Sequence, residues 1–287
     1  MTAKTPVSAP VSAPFLAPVL APAKVNLSLH ITGRRDDGYH LLDSLVAFAD
    51  MGDRLTLTPG DALSIDVAGP FASGVPTDAR NLVWQAAEGA GWTGHIKLAK
   101  NLPHGAGIGG GSSDAAAVLN ALAAQGVDIP EGLALSLGAD VPVCVAGRAT
   151  RMRGIGEDLT AVALPQLHAL LVNPGVHVPT GAIFNGLERR DNAPMPEEIP
   201  AFTGPEDCAA WLAEQRNDME PPAIQNAPVI DRVLSDLRGT SDALMARMSG
   251  SGATCFALYP TKKAAHMAAY DIGTEQADWW CYATTLN

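Results

Sequence analysis

Between Pro103 and Gln125 the chain reads Pro-His-Gly-Ala-Gly-Ile-Gly-Gly-Gly-Ser-Ser-Asp and then an alanine- and leucine-rich run. Five of the seven residues from Gly105 to Gly111 are glycine. A backbone without Cβ atoms can take positive φ and lie flat against a ligand. The run that follows predicts a helix, and Ser112 or Ser113 suits its N-cap. A glycine loop feeding a helix N-terminus offers free N–H groups and the positive end of the helix dipole. That combination is an anion site, most often for phosphate. A plain turn between strand and helix seldom needs five glycines and two hydroxyls.

The class of loop narrows the chemistry. No Gly-Lys-Ser/Thr closes it, so it is not a Walker A loop. Gly105, Gly107 and Gly110 satisfy G-x-G-x-x-G, a weak match by itself. A dinucleotide fold places that pattern near the start of a βαβ unit. Here about 100 residues precede it, and the stretch just upstream, His95-Ile-Lys-Leu-Ala-Lys100, alternates like a strand.

Composition removes some partners. The net charge is −11, from 19 basic and 30 acidic residues, which argues against a nucleic acid or an anionic membrane surface. A phosphorylated substrate would need local help from N–H groups, a few lysines and a divalent cation. Cys144, Cys208, Cys255 and Cys281 are far apart, with no C-x-x-C. Zinc and a disulfide framework are therefore not expected, and a cytoplasmic location is. At 287 residues, one large or two medium domains are expected. Thr5 to Ala23 is uncharged, but Pro6, Pro10, Pro14, Pro18 and Pro22 forbid a continuous helix. It reads as neither a membrane span nor a signal-peptide core. Residues 1–20 are expected to be a disordered Pro/Ala-rich tail.

The elements that must position the loop follow from periodicity. Val25, Leu27, Leu29 and Ile31 share one face of a strand. Gly33 to Gly38 is a polar turn, and Tyr39 to Ala49 is compatible with a strand. Arg54–Thr58 and Leu63–Val67 are expected to pair. Asn81–Ala90 predicts a helix, Pro130–Leu137 a short helix capped by Gly138, and Asp140–Val145 a turn leading into a strand. Beyond about residue 155, His168–Asn173 reads as a buried strand, Pro179-Thr180 opens a short helix and 189–206 is a loop. Val229, Ile230, Val233, Leu234 and Leu237 have helical spacing. Strands at Leu244–Met248 and Thr254–Tyr259, a helix over Thr261–Ile272 and a strand from Trp279 complete a strand–helix–strand–strand–helix–strand order. That is the order of a ferredoxin-like half. The class is α+β in two lobes.

Three stretches stand out together: Ala23-Lys-Val-Asn-Leu-Ser-Leu29 with Gly33-Arg-Arg-Asp-Asp-Gly-Tyr-His40, the glycine loop with Ser-Ser-Asp-Ala-Ala, and Met248-Ser-Gly-Ser-Gly-Ala-Thr254. The set resembles the GHMP small-molecule kinase superfamily, from about Pro22 to the C-terminus. Asp37-Gly-Tyr-His40 and Leu137-Gly-Ala-Asp-Val-Pro142 resemble the branch whose acceptor carries a cytidine diphosphate. The resemblance implies a two-lobed fold: an N-terminal ribosomal-protein-S5-like, ATP-binding lobe at 21–155 and a C-terminal ferredoxin-like lobe at 156–287. It implies transfer of the γ-phosphoryl group of ATP, with Mg²⁺, to an alcohol of isoprenoid precursor synthesis. The enzyme would be a monomer or homodimer.

Carried over residue by residue, Asp140 matches the catalytic aspartate and Lys24 the lysine beside it. Pro103, His104, Gly105, Ala106, Gly107, Ile108, Gly109, Gly110, Gly111, Ser112 and Ser113 would hold the ATP phosphates, with Ser113 as Mg²⁺ ligand. Asn81, Leu82 and Lys100 lie where relatives contact adenosine. Asn26, Tyr39, His40, Thr180 and Phe184 match positions at the cytidine end, Tyr39 and Phe184 as two faces of a base sandwich. Asp114 reads as a structural charge in the first helical turn. Kinases acting on mevalonate, homoserine or a sugar would not be expected to keep Asp37-Gly-Tyr-His40. A nucleotide-binding regulator without activity would not be expected to keep both Lys24 and Asp140.

Overall fold

Val25, Leu27, Leu29 and Ile31 do form a strand, and a longer one than their alternation predicts. In the computed structural model, which describes residues 18–287, β1 runs Val19–Arg34 and β2 His40–Pro59. Of the expected tail, residues 1–17 lie outside the described residues, while Val19 and Leu20 already belong to β1. An alternating strand usually turns its polar face to water. Here Lys24, Asn26, Ser28 and His30 are as buried as the apolar residues between them. The second half of the chain packs onto the last three, and the glycine loop onto Lys24.

β2 is the hub of the first sheet. It pairs with β1 on one side, and on the other with β4 (Gly94–Ala99) at one end and β5 (Thr150–Gly154) at the other. The expected pairing of Arg54–Thr58 with Leu63–Val67 does not occur. β3 (Ser64–Ala68) instead runs parallel to β4, which lies between them. Parallel neighbours need a crossover, and α1 (Leu82–Gly89) supplies it. β6 (Asp158–Ala161) pairs with β5, so the chain leaves this sheet after Ala161 rather than at residue 155.

The helices α2 (Gly110–Ala124), α3 (Leu133–Leu137) and α4 (Val141–Ala146) complete the first half. Phe48, Leu55, Val83, Ile96, Val118, Leu122 and Val141 pack there into one core.

The second half has the ferredoxin-like order: β7 (Leu167–Asn173), then α5 (Thr180–Asn185), α6 (Pro205–Ala213), α7 (Glu220–Asn226) and α8 (Val229–Gly239). β8 (Met245–Met248), β9 (Cys255–Tyr259), α9 (Lys262–Glu275) and β10 (Trp280–Leu286) follow. The antiparallel sheet runs β10-β7-β9-β8. Ile230, Val233, Leu234 and Leu237 of α8 are fully buried, as their spacing predicts. β10 joins the two sheets: Leu286 pairs with Ala49, and Asn287 and Phe48 exchange two backbone bonds of 3.0 Å. A further core draws on both halves, with Val25, Leu27 and Ile108 against Leu167, Cys208 and Phe256.

The loop after α5 is pinned to the first sheet by a buried ion pair. Arg151 grips Asp43 with two bonds of 2.9 and 2.7 Å, and donates to the carbonyls of Pro196 and Glu197. Met195 N donates to the same carboxylate. Removing one partner of a buried pair strands the other charge, at a cost of about 3–5 kcal/mol. Arg151→Ala should therefore lower the urea midpoint sharply. Arg153→Ala, whose carboxylate partners are more than half exposed, should cost at most about 1 kcal/mol; equal midpoints for the two variants would contradict the ranking.

Candidate active site

Gly105, Gly107 and Gly109 take φ of 55°, 73° and 64°. Ala106 and Ile108, between them, are buried in the core. The loop is thus nailed down at every second residue, with glycines free to approach what lies above. A Cβ at Gly107 would come within 2.4 Å of Ser249 O, and one at Gly109 within 3.1 Å of Lys24 Cε. The serines do not cap the helix: Gly109 is the N-cap, and both serines fall in the first turn of α2. Ser112 lines the cleft. Ser113 is buried, and its Oγ donates to Pro22 O at 2.7 Å. Ser113 is therefore turned away from the cleft and does not fit the expected role of metal ligand.

Asp140 also sits differently from expectation. Val141–Ala146 is helix α4, not a strand, with Asp140 at its N-cap. Pro142, in the first turn, lacks an N–H that would have no intrahelical partner anyway. The Asp140 carboxylate leaves the helix uncapped and accepts from Lys24 Nζ at 2.8 Å. Lys24 is buried beneath Gly109, while 37% of the Asp140 side chain is open. One member of the pair is thus fixed from below and the other faces the cleft.

The cleft encloses about 760 Å³. The glycine loop, Lys24 and Asp140 line it, as do Asn26, Asn81, Leu82, Thr180 and Phe184. Asn81 also caps α1, accepting from Val83 N at 2.9 Å. Asn26 Nδ2 donates to Ser44 Oγ at 2.7 Å, and Ser44 in turn donates to Ser28 O. Ser44 must accept from Asn26, so the amide orientation is fixed, and Asn26 Oδ1 is left as a buried acceptor without a partner among the described residues. Lys100 lines the cleft, but its ammonium is held by Asp53 and Asp114, and all three side chains are buried.

At the far end, Tyr39 is 58% exposed and does not line the cleft, so it forms no sandwich with Phe184. His40 stacks on Phe184 instead, with ring centroids 4.4 Å apart and planes 14° apart. Burial, reinforced by Arg34 and Arg190, holds the His40 imidazole below its ordinary pKa. Its Nε2 has no partner among the described residues. Thr180 Oγ1 lies 2.9 Å from Ser251 Oγ in the third motif.

Models of the GHMP kinases N terminal domain and of the GHMP kinases C terminal domain match residues 80–156 and 200–275. The chain belongs to the GHMP kinase family. A 4-diphosphocytidyl-2-C-methyl-D-erythritol kinase of Dinoroseobacter shibae is 59% identical over 268 residues, covering 92% of this chain and 93% of its own. A kinase of the same name from Cereibacter sphaeroides is 54% identical over 90% of this chain and 95% of its own. A crystal structure of 4-(cytidine 5'-diphospho)-2C-methyl-D-erythritol kinase superposes with TM-score 0.74 at 34% identity, covering 94% of this chain and 99% of that one. The crystal structure of L. major mevalonate kinase, 17% identical with TM-score 0.66, shares the fold.

Several residues of this GHMP kinase site escaped sequence reasoning. Ser249 Oγ accepts from Asn26 N at 3.0 Å and donates to Gly107 O at 2.9 Å, tying β1, the glycine loop and the third motif together. A serine in a Gly/Ser turn gives no sign of this. His177 stands over Gly105, again without a pattern to mark it. Asp53 also accepts from the backbone N–H of Asn101 and Leu102. Its only signal was a charge in period-two register with the apolar Leu55 and Leu57.

The Lys100 cluster holds two carboxylates for one ammonium, and Asp114 Oδ1 has no partner among the described residues. Burial pushes the Asp114 carboxyl up to about 7; Lys100 opposes the shift and the like charge of Asp53 adds to it. Between the ordinary carboxylate pKa and about 7, the folded chain then holds a proton that the unfolded chain has released. Stability falls as pH rises through that window and levels off above it. Asp114→Asn keeps an acceptor for Lys100 without the surplus charge. Thermal melts from about pH 5 to about pH 8 should show the variant gaining stability relative to the parent chain as pH rises; parallel curves would contradict the shift.

Proposed function

We propose that the chain transfers the γ-phosphoryl group of ATP to the 2-hydroxyl of 4-diphosphocytidyl-2-C-methyl-D-erythritol. The observation that carries this reading is the Lys24–Asp140 pair, 2.8 Å apart, beneath a positive-φ glycine loop at the mouth of one cleft. The 59% identity to a kinase of that name supports the acceptor.

In this reading the N–H groups of Pro103–Ser113, which lead into α2, take the ATP phosphates. Asn81 and Leu82 form the adenosine wall. Lys100 contributes backbone and alkyl stem there, because its ammonium is engaged by Asp53 and Asp114. The described residues contain no group of three or more His, Cys, Asp or Glu that could hold a metal. That fits an Mg²⁺ carried mainly by phosphate oxygens. Ser112, the hydroxyl facing the cleft, would hold it, in place of Ser113. When bound, the ion neutralises phosphate charge.

Phosphoryl transfer asks for positioning and charge neutralisation more than covalent chemistry. Asp140 orients the acceptor hydroxyl toward the γ-phosphorus. Lys24 holds that carboxylate in place through its 2.8 Å bond and faces the charge developing on the phosphoryl oxygens. A carboxylate is a weak base toward an alcohol, so Asp140 takes the proton late, as the new P–O bond forms and the bond to the β-phosphate oxygen breaks. The cytosine ring stacks on Phe184 in the place His40 holds. Asn26 Oδ1 receives a donor from the acceptor molecule.

With the cytidine substrate and ATP, Asp140→Asn should reduce kcat about 10²–10⁴-fold and Lys24→Ala about 10²–10³-fold. Near-normal turnover in a coupled ADP assay for both would overturn the assignment. CDP should compete with the acceptor. Phe184→Ala should weaken that competition about 2- to 10-fold, the worth of one stack; an unchanged inhibition constant would remove Phe184 from the base site.

A further inference from the structure

A second cavity of about 670 Å³ opens on the other side of the segment 215–220 from the cleft. Its wall carries Arg189, Arg216, Arg238 and Arg247 against Glu188, Asp218 and Glu220. Arg189, Arg216 and Arg238 each stand within 4.0 Å of a carboxylate, Asp191, Asp218 and Glu220 respectively, so among the described residues the cation at this wall without a carboxylate partner is Arg247. Two of the carboxylates are already engaged by the protein. Asp218 accepts from Ile31 N at 2.8 Å and from Arg216 Nε at 2.9 Å, and Glu220 accepts from Met248 N at 2.9 Å.

Arg247 is the informative residue. It is 7% exposed, and among the described residues its guanidinium donates only to backbone carbonyls, Leu27 O at 2.8 Å and Gln215 O at 2.6 Å. No carboxylate among those residues bridges it. A guanidinium has five N–H groups in a fixed fork, so donors are left over. Burial pushes its pKa down to about 10, with Arg238 adding to the fall and Glu220 opposing it. A buried cation with spare donors and a cavity in front of it is matched by an incoming anion. Half-exposed Arg238 stands at the same wall, only 3.9 Å from Glu220.

We infer that this cavity is a second ligand site, taking a small phosphate-bearing anion between Arg247, Arg238 and Arg216. Planar guanidinium forks suit phosphate oxygens.

The segment between the two cavities couples them. Met219 faces the cleft, while Gln215, Asn217 and Asp218 face the second cavity. Asn217 Nδ2 donates to Met248 O at 2.8 Å and to Gly250 O at 2.9 Å, holding the turn that grips Gly107. Leu29, which lines the cleft, bonds through its backbone to Arg216 O and Asp218 N. An anion that draws in Arg216 and Arg247 pulls on both contacts.

The test uses inorganic pyrophosphate as probe and the full chain, its cleft saturated with a non-hydrolysable ATP analogue and CDP. Calorimetry should show binding with Kd below about 1 mM. Arg238→Glu and, separately, Arg189→Glu should weaken it about 10-fold or more while leaving kcat without pyrophosphate unchanged. No binding with the cleft filled, or binding that both variants retain, would overturn the site. Binding is read without turnover, so failure here is distinct from failure of the kinase reading, which would appear as no saturation by the analogue.

Discussion

The polar face of β1 sets the terms for the rest of the molecule. Asn26, Ser28 and His30 are taken out of water by the second half of the chain and Lys24 by the glycine loop, and buried polar groups must find partners. Lys24 finds Asp140, Asn26 finds Ser44 and Ser249, Ser28 finds Leu45 N, and His30 lies against Ala193 and Arg216. These partners come from both halves of the chain. The strand that looks from its alternation like an ordinary half-exposed one is therefore the seam of the structure. The cleft opens where that seam meets the glycine loop.

Close approach at the seam explains where the glycines are needed. Lys24 N donates to Ile108 O at 3.0 Å, and Thr254 N donates to Ala106 O at 3.1 Å. β1 and the third motif thus hold the loop from two directions. Side chains at Gly107 or Gly109 would push against Ser249, Gly252 or Lys24. Ala106 and Ile108 anchor the loop in the core while the glycines between them admit those neighbours. Shape and spacing at this point come from packing as much as from any ligand.

The parts of this arrangement that are local in sequence were legible. The glycine run, the helix after it, the helix from about Asn81 and the α8 stripe each declare themselves within a few residues. What depended on distant partners was not. Asp53 and Lys100 are 47 residues apart, and nothing local says that they and Asp114 share one buried site. α4 reads as strand because Val141, Val143 and Val145 are β-branched and alternate with Pro142 and Cys144; tertiary packing overrode that propensity. The choice between Ser112 and Ser113 depended on the helix starting at Gly110, a shift that turns Ser113 toward Pro22. The pairing of β3 depended on α1 acting as a crossover. Tyr39 and His40 stand next to each other in sequence, and only the fold decides which ring reaches Phe184.

Charge placement then explains why the loop must be built from backbone. Apart from histidines, the cations lining the cleft are Lys24, Arg80 and Lys100. Lys24 is matched by Asp140, Arg80 by a two-pronged contact with Asp78 at 2.9 and 2.7 Å, and Lys100 by two aspartates. None of these described residues brings an unmatched positive charge to the cleft. In the proposed reaction, a chain of net charge −11 would meet polyphosphate with N–H groups, with the N-terminal end of α2 and with the cation that accompanies the phosphates. N–H groups can converge on an anion only where Cβ atoms do not intervene. In that proposal the five glycines do the work that a lysine does in a Walker A loop. Lys24 remains paired with Asp140, beside the acceptor hydroxyl in the proposed reaction.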